Sequence, residues 1–571
     1  MDETTQRHDP MNFAGFRIPL AYHSDKCTIK PEVSNDLELK CGSHPLYESL
    51  LKADDDFKKL IIPQLSRWYT TDTIFLKDTQ HILKGPLPKQ PCYHKIMNIY
   101  KTMEPINDTF LEQYHYIEWK PLQTLNANQS VMQCMSVYNL CSPILSLALP
   151  IFMLIIPLFM IRLHGIQLSF HSYIQHLLVV LKRHSIGQIF FIHQATLDKQ
   201  IVIMISFIFY FVQVYLNVQS CVKFIKNMTH IHDYIFAVQD YLTATMSSID
   251  SIQLWNVYPS YKPFLEHCKK QGAIMHTICK EIQHVTPFHY TGSKLLQLGK
   301  LMRIYYLCNT DHTWQETIQY SIYLNSYIHS LSCIKDKLQN KTLHLCKYSK
   351  KKTYFKGIYY PHIEKELVVH NDVSLSTNIL ITGPNAAGKT TLLKTIMLNT
   401  ILCQQFGCGY FNKACLQPYH VLSSYINIPD TSERESLFQA EAVRCKTILD
   451  DILRNKERRH LCIFDELFSG TNPYEATSAA KAYLKYIHKQ NNVRFLLTTH
   501  FVDMCKQLKN ECDICNMQMQ VEKDMHHSFL YTYRIIKGIS NVKGGIKVLN
   551  DLNYPTEIIQ DCLCEINRHT L

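Results

Sequence analysis

The chain has 571 residues, enough for three or four domains with apolar cores, and 46% of its residues are hydrophobic. Its 59 Lys and Arg against 48 Asp and Glu give a formal charge of +11, a mild basic excess that fits nucleic acid or an anionic membrane face without selecting either. The 21 cysteines are scattered through ordinary apolar patterns, which excludes a disulfide framework and predicts free thiols. Residues 1–30 lack the apolar stretch of a signal peptide, so none is expected.

Residues 1–138 are polar and mixed, and we assign them to an N-terminal domain with helical signals near residues 45–59 and 107–119. The next 80 residues, 139–218, have a different character. Residues 140–161 form a run of 22 without a charged side chain, and residues 201–218 form a second apolar run of 18. Each run is about long enough to cross a hydrocarbon core of ~30 Å. We predict a two-helix membrane hairpin; the alternative is a pair of deeply buried core helices.

Two spans place both ends of the chain on one side of the membrane. We expect that side to be the cytosol, because the C-terminal domain contains GPNAAGKT at residues 383–390, which fits the phosphate-loop pattern of ATP-binding proteins. The segment between the spans contains four cations, which argues weakly against its translocation. They are Arg162, Lys182, Arg183 and Lys199. The prediction is therefore a multi-pass membrane protein with two spans and a cytosolic ATPase domain.

Residues 219–345 show apolar side chains spaced by three or four, which is typical of helices. Long helices between a membrane hairpin and an ATPase fit a lever or stalk, and a plain supporting bundle fits equally well. A basic cluster at residues 347–352 then marks the start of the last domain, residues 346–571. We interpret this cluster as a solvated or lipid-facing linker rather than a nucleic-acid site.

The stretch NILITGPNAAGKTT, residues 378–391, reads as a buried strand followed by a phosphate loop and a helix. Glycines let successive N–H groups point at phosphates, and the helix N-terminus adds partial positive charge. Lys389 would reach the β- and γ-phosphates, and the Thr390 hydroxyl would ligate Mg²⁺. The predicted nucleotide-binding residues are Gly383, Pro384, Asn385, Ala386, Ala387, Gly388, Lys389, Thr390 and Thr391.

Two later strands end in residues with matching chemistry. The apolar strand 460–464 is followed by Asp465, placed to hold Mg²⁺, and by Glu466, placed to orient or deprotonate water. The strand 494–499 delivers His500, which we predict to contact the γ-phosphate. We predict an α/β fold, an ABC-type P-loop ATPase domain preceded by the helical region and the hairpin, with Lys389, Glu466 and His500 as its catalytic residues.

Four segments resemble the ATPase domain of the MutS family: GPNAAGKTT, ESLFQAEA at 435–442, FDELFSGTNPYEA at 464–476 and LTTH at 497–500. The segment GISNVKGGIKVLNDLNYP at 538–555 extends the match, and the general ABC signature LSGGQ is absent. The resemblance implies ATP and Mg²⁺ as ligands and a homodimer through the ATPase domains. It also implies that Ser436 reaches the partner's nucleotide, with Thr471 and Tyr474 in the loop after the carboxylates.

The chain departs from the family pattern at three positions: Leu437 replaces the usual threonine, Lys543 a common serine, and Val368 an aromatic that often stacks on adenine. In the first half, Phe110-Leu-Glu112 spells the Phe-x-Glu that mismatch-recognising members insert at a lesion. It lacks the expected glycine turn, so we interpret it as part of an amphipathic helix.

A second possible site is the run Cys512–Cys515 with His526 and His527 further on. The histidines are adjacent and lack the usual spacing of zinc ligands, so we favour a loop with incidental thiols.

The sequence therefore predicts a membrane-anchored ATPase that resembles MutS, hydrolyses ATP in a composite dimer site, and acts on DNA in repair, recombination or genome handling. The alternative is a nucleotide-gated membrane scaffold or remodelling protein with no DNA role. Membrane lipid is an expected partner and DNA a possible one, and no small-molecule substrate other than ATP is expected.

Overall fold

The computed structural model describes residues 13–102, 108–163, 170–183, 187–194, 196–283, 285–286, 295–364, 366–426, 428, 437–512, 514–523, 529–540, 542, 549 and 552–568. The fold is mixed α/β. Contacts divide the chain into two compact units. The first contains residues 1–90, 247–270 and 322–571, and the second contains residues 91–246 and 271–321.

The centre of the first unit is a six-stranded sheet with the order β13-β12-β6-β11-β10-β9. Five strands run parallel and the edge strand β13 is antiparallel to β12. The strands are β6 (Ile379–Thr382), β9 (Val421–Tyr425), β10 (His460–Asp465), β11 (Val493–Thr499), β12 (Cys515–Lys523) and β13 (Phe529–Lys537). The middle strands read as short continuous apolar runs because both of their faces are covered.

Helices flank this sheet: α14 (Lys389–Gln405), α15 (Leu437–Arg454), α16 (Pro473–His488) and α17 (Val502–Cys512). A further helix, α18 (Thr556–Arg568), lies near the C-terminus. The helix α16 begins after Asn472, whose side chain accepts hydrogen bonds from the amides of Tyr474 and Glu475, with Pro473 at the first helical position. Its buried residues Ala480 and Leu484 pack into the same core as Phe464 and Leu497 of the sheet. This packing fixes the strand ends that carry the candidate site.

A second, five-stranded sheet has the order β5-β4-β8-β3-β7. Its strands are β3 (His344–Tyr348), β4 (Tyr354–Ile358), β5 (Asn371–Ser374), β7 (Cys408–Gly409) and β8 (Lys413–Leu416). The basic cluster at residues 347–352 is therefore not a linker, because it occupies the end of β3 and the turn into β4. Alternation along these strands buries one face and exposes the other.

The N-terminal segment of the first unit consists of short elements. They are a 3₁₀-helix at Pro19–Tyr22, β1 (Lys26–Thr28), α1 (Pro31–Asp36), α2 (Leu46–Leu51), α3 (Asp56–Lys59), α4 (Ile62–Leu65), β2 (Trp68–Thr70) and α5 (Thr73–Lys84). Strands β1 and β2 pair antiparallel. Residues 247–270 add two further 3₁₀-helices, Gln253–Val257 and Pro259–Tyr261.

This segment is tied to the six-stranded sheet and its helices by the buried amides of Gln404 and Gln405 at the end of α14. Gln405 donates to the carbonyls of Leu65 (2.6 Å) and Trp68 (2.7 Å) and accepts from the Tyr47 hydroxyl (2.6 Å). Gln404 donates to the carbonyl of residue 70 at 3.0 Å. Buried side-chain amides that are fully paired in this way hold one segment in one register.

The second unit is helical. Its helices are α6 (His94–Thr102), α7 (Asp108–Gln113), α8 (Gln129–Leu163), α9 (Phe170–Arg183) and α12 (Leu298–Thr310), with 3₁₀-helices at Lys120–Ala127 and Gly187–Gln194. Helices α10 (Leu197–Ile252), α11 (Lys262–Ile282) and α13 (His312–Gln339) contribute residues to both units. The Phe-x-Glu run, residues 110–112, lies within α7 and is therefore part of a helix, as expected. The ring of Phe110 lies 5.1 Å from that of Tyr114 and 5.8 Å from that of Tyr305.

By length and composition, two helical stretches of the described chain could cross a membrane: Gln129–Ala148 and Leu197–Val257. In the most apolar 18 residues of each stretch, 11% of the residues are buried in the first and 6% in the second. Side chains as large as Phe159 and Phe209 are 65% and 69% exposed. The two helices also make polar contacts: the Tyr210 hydroxyl donates to the carbonyl of Ser146 at 3.1 Å, and the Asn217 amide donates to the Ser146 hydroxyl.

Candidate nucleotide site

The loop of residues 383–388 joins the end of β6 to the start of α14, as the sequence pattern requires. Ala386 and Gly388 have φ values of 62° and 89°, in the left-handed region that turns successive amides towards one side. The side chain of Lys389 is 5% exposed and its Nζ donates to the carbonyls of Gly383 (3.1 Å) and Pro384 (3.2 Å). Burial lowers the pKa of Lys389, and the carboxylates of Glu466 and Asp465 oppose that shift.

Asp465 is held at the C-terminal end of β10 by hydroxyl groups from two other elements. The Thr390 Oγ1 donates to Oδ2 of Asp465 at 2.6 Å, and the Thr498 hydroxyl donates to Oδ1. Thr498 is the residue paired with Asp465 across β10 and β11, so parallel pairing brings the two together. A hydroxyl and a carboxylate are the hard oxygen donors that suit Mg²⁺, so the residues present fit the metal that the sequence predicts.

Glu466 follows in a left-handed conformation, with φ of 54°. Its backbone amide donates to the carbonyl of Thr498 at 3.0 Å, and its Oε1 lies 3.0 Å from Nε2 of His500 and 3.8 Å from Nζ of Lys389. The hydrogen bond from His500 lowers the pKa of Glu466 below its ordinary value of 4.5, against the opposing effect of burial, and the charge of Lys389 lowers it further. The carboxylate is therefore ionised at neutral pH.

His500 connects these groups to the loop. Its Nε2 lies 2.8 Å from Oδ1 of Asn385 and 3.1 Å from Nζ of Lys389. Strands β6, β10 and β11 are neighbours in one parallel set, so their carboxyl ends meet at a single edge of the sheet. The structure thus brings the predicted residues of the loop, the Asp-Glu pair and the histidine into one cluster.

A cavity of about 670 Å³ extends from this cluster and is large enough for a nucleotide. Its lining also contains Tyr359, Tyr360 and Tyr533 together with Leu367 and Val369. Val368, where the family often has an aromatic, does not line it.

Tyr533 comes from the distant strand β13. A Cβ on Gly388 would lie 3.2 Å from its ring, so the ring packs directly beside the loop. Asn371 of β5 fixes the strand at this point. Its Nδ2 donates to the carbonyl of Tyr533 at 3.0 Å, and its Oδ1 accepts from the amide of Ile535 at 2.8 Å.

The loop after Glu466 is anchored by Glu441, a carboxylate on α15 that is 2% exposed. Glu441 Oε1 accepts from the amide (3.0 Å) and hydroxyl (2.8 Å) of Ser469, and Oε2 accepts from the amide of Gly470 (3.1 Å). A Cβ on Gly470 would lie 2.8 Å from Cγ of Leu437, so only glycine allows this close approach. The first turns of α15 and the loop therefore pack as one body.

Other predicted residues lie outside this cluster or outside the described part of the chain. Ser436, Lys543, His526 and His527 are outside the described residues. Thr471 donates to Oε2 of Glu475 at 2.9 Å, and Tyr474 is 88% exposed. Cys512 and Cys515 are free thiols, and the two histidines considered with them lie outside the described residues, so the interpretation of this run as a loop with incidental thiols stays a prediction.

Sequence reasoning missed Tyr359, Tyr360, Tyr533, Asn371 and Glu441. Glu441 belongs to the ESLFQAEA motif, so its position was marked although its role was not. Tyr533 carries no sequence signal, because its place beside the loop depends on the pairing of β12 with β13 and of β12 with β6.

In this α/β domain the ends of neighbouring parallel strands bring together a glycine loop, a Thr–Asp pair and a Glu–His pair, which form a candidate nucleotide site. Residues 379–568 match the family model described as MutS domain V. This stretch, about a third of the chain, is therefore similar to domain V of the MutS family.

Individual relatives match the same part of the chain. Endonuclease MutS2 of Geobacillus sp. (strain WCH70) is 31% identical over 208 residues, which cover 35% of this chain and 25% of that protein. The DNA mismatch repair proteins MutS of Carboxydothermus hydrogenoformans and Parabacteroides distasonis are 30% and 31% identical, covering 35% and 36% of this chain and 24% of each relative. The chain spans about a quarter of the length of the curated relatives it matches.

Proposed function

We propose that this chain is a membrane-anchored, Mg²⁺-dependent ATPase of the MutS type that hydrolyses ATP at the cluster around Lys389. The observation that carries the proposal is the convergence of one cation, one ionised carboxylate and one Thr–Asp pair at the mouth of a nucleotide-sized cavity. In this cluster Lys389 Nζ lies 3.8 Å from Glu466, and Thr390 Oγ1 lies 2.6 Å from Asp465.

Each side chain has a role that follows from its chemistry. Lys389 is a buried cation within reach of the loop amides, so it balances the charge of the β- and γ-phosphates. Thr390 and Asp465 would hold Mg²⁺, which neutralises charge on the phosphate oxygens. Glu466 is ionised and hydrogen-bonded, which suits a group that orients or deprotonates the attacking water, and His500 contacts the γ-phosphate.

The apolar end of the cavity would hold the nucleoside. Tyr533 lies beside Gly388 at one wall, and Tyr360 lines the cavity with it. Aromatic faces stack on purine bases, with a gain of about 1–3 kcal/mol per base. We assign base stacking to these tyrosines rather than to position 368.

A composite dimer site would give a function to the contact between α15 and the loop that follows Glu466. The predicted signature Ser436 immediately precedes α15, whose first turns are tied through Glu441 to the loop that follows Glu466. A partner's nucleotide bound at Ser436 would therefore act on the loop next to the catalytic carboxylate of the same subunit. Equal turnover per subunit at dilutions that give monomer would rule out this part of the proposal.

The membrane part rests on α8 and α10. In water their exposed apolar side chains would cost about 25 cal/mol for each Å² left unburied, and hydrocarbon removes that cost. The contacts of Tyr210 and Asn217 with Ser146 resemble the polar bonds that hold helices together in lipid. We propose a two-span anchor with the ATPase domain in the cytosol.

The names of the relatives, an endonuclease and DNA mismatch repair proteins, favour a DNA partner over the rival function of a membrane scaffold. DNA handling in repair, recombination or genome maintenance is therefore our first choice. A nucleotide-gated scaffold without a DNA role is the second, favoured by the two exposed apolar helices.

The test measures ATP hydrolysis by the full chain in lipid nanodiscs, with and without duplex DNA. Lys389→Ala should abolish nucleotide binding, whereas Glu466→Gln should keep binding and lose hydrolysis by a factor of about 100 or more. Lys489→Ala, at an exposed lysine of the same unit, is the matched control. Hydrolysis that survives in both site variants would exclude this site, and a rate that responds to lipid but never to DNA would favour the scaffold.

A further inference from the structure

The exposed face of the five-stranded sheet carries an array of lysines, which we call the lysine face. Its members are Lys347 of β3, Lys350, Lys351 and Lys352 of the turn that follows, Lys356 of β4 and Lys413 of β8. All six side chains are exposed.

The strand register places three of these lysines, those of β3, β4 and β8, close together. Lys356 of β4 pairs directly with Lys413 of β8. Lys347 of β3 pairs with Cys415, two residues along β8 from Lys413, and therefore lies diagonal to it. Like charges directly opposite each other on a sheet are destabilising, so this face is arranged at a cost that a bound polyanion would remove.

The lysines are not neutralised within the sheet. None of the six forms an ion pair with a residue that the structure describes. Asp372 is the single acidic residue in strands β3, β4, β5 and β8, and its Oδ1 accepts from the amide of Gly357 at 2.7 Å. The face therefore presents net positive charge on a rigid support.

The opposite face is buried, which fixes the direction of the lysines. Cys346, Phe355, Ala414 and Leu416 alternate with the exposed positions and are all 4% exposed or less. No large apolar side chain of residues 344–358 or 413–416 is strongly exposed. A surface that inserts into lipid combines cations with exposed apolar residues, and a surface that binds single-stranded nucleic acid offers exposed aromatic rings. The strands of the lysine face offer neither feature.

We propose that the lysine face binds the sugar–phosphate backbone of duplex DNA without reading its sequence. Three neighbouring strands span about 10 Å, a length over which a duplex carries about six negative charges. Three lysines on these strands, with three more in the adjoining turn, supply cations in a number of this order, which favours a duplex. This inference deepens the DNA branch of the proposed function and rests on it.

The experiment measures binding of a 40-base-pair duplex by fluorescence anisotropy, with the full chain in phosphatidylcholine nanodiscs and salt varied from 50 to 300 mM. The variant is Lys347→Gln/Lys356→Gln/Lys413→Gln. Each phosphate contact contributes about 0.9 to the slope of log K against log salt, or about eight-fold in affinity at 0.1 M. We expect the slope to fall by about 2–3 and the affinity by about 100-fold or more.

The matched control removes the same charge from exposed lysines elsewhere in the same unit, Lys456→Gln/Lys489→Gln/Lys509→Gln, and should keep both slope and affinity. ATP hydrolysis without DNA should be unchanged in both variants, because none of these lysines belongs to the nucleotide site.

Four results would overturn the inference. If the lysine-face variant bound the duplex with wild-type affinity, DNA would have to bind elsewhere on the chain. If the control variant lost as much affinity for the duplex, the loss would be explained by net charge alone. Loss of binding to phosphatidylserine vesicles with DNA binding intact would assign the face to lipid. A wild-type chain that hydrolyses ATP but binds no duplex would remove the DNA branch as well and leave the ATPase proposal standing.

Discussion

Glu441 offers the sharpest test of how α15 supports the candidate site. This carboxylate is 2% exposed and accepts three hydrogen bonds from Ser469 and Gly470, in the loop that follows Glu466. Glu441→Ala removes all three bonds. At about 1 kcal/mol for each bond, the free energy of opening this loop should fall by about 3 kcal/mol, which corresponds to roughly 100-fold faster amide exchange.

Two further variants grade this effect. Ser469→Ala removes only the hydroxyl, so we expect a loss of about 1 kcal/mol and roughly five-fold faster exchange. Glu441→Gln keeps one carbonyl oxygen for Ser469 but places an amide nitrogen where Oε2 accepts from Gly470. Its effect should lie between those of the other two variants and be concentrated at Gly470.

The assay is hydrogen–deuterium exchange by mass spectrometry on the full chain in nanodiscs, followed in peptides from residues 464–476. Peptides from the core strand β11 serve as an internal reference, because global destabilisation would change both. ATP hydrolysis should fall together with loop protection, since Glu466 begins this loop. Unchanged exchange in Glu441→Ala would show that the three bonds do not hold the loop and would refute the reasoning.

Three other predictions follow from particular contacts. His500→Ala should raise the pKa of Glu466, since the hydrogen bond from His500 is the main cause that lowers it. In the wild-type chain the stability that the ionised Glu466 contributes is fully present above pH 4.5 and is lost as the pH falls through the lowered pKa. The acid limb of kcat should therefore move to higher pH in that variant, and an unchanged limb would contradict the assignment. Gln405→Leu removes two hydrogen bonds to the buried carbonyls of Leu65 and Trp68 and one from the Tyr47 hydroxyl, which keeps only its 3.3 Å bond to the carbonyl of Leu65. Unfolding of the full chain in urea should therefore become easier by about 3 kcal/mol, and an unchanged midpoint would count against this tie. Ile208→Arg, at a side chain 57% exposed in α10, should weaken membrane insertion by about 2.5–3.5 kcal/mol and increase the fraction released by alkaline carbonate, whereas a soluble helix would show no change.

The parts of the site that sequence could locate are those where phosphate and metal chemistry restrict the residue types. A loop that turns amides towards phosphates needs glycine, and the positions after buried strands carry the polar side chains. The sequence predicts each of Glu466 and His500 at the nucleotide, but it does not predict a contact between them. Parallel pairing of Asp465 with Thr498 places the ends of β10 and β11 at the same edge and so brings the two side chains together. The roles of these residues in catalysis stay predictions.

The wall of the cavity could not be located in this way. Tyr533 reaches Gly388 only because the antiparallel strand β13 is added to the parallel set, and Asn371 fixes it there from the other sheet. Such contacts join residues more than 100 positions apart, and no local spacing records them. Sequence reasoning looked for an aromatic at position 368, whereas the structure provides aromatic rings from two other segments.

The N-terminal segment shows a second limit, which concerns how polar sequence is interpreted. Residues 13–90 read as mixed and polar, yet they belong to the same compact unit as the six-stranded sheet that carries the candidate site. The attachment depends on buried amides: Gln404 and Gln405 are 0% and 5% exposed and bond to backbone groups of residues 65–70. A paired amide is as well buried as an apolar side chain, but in a sequence it counts as polar. Since α14 begins with Lys389 and ends at these glutamines, the helix that carries the candidate phosphate-binding lysine also holds the N-terminal segment in place.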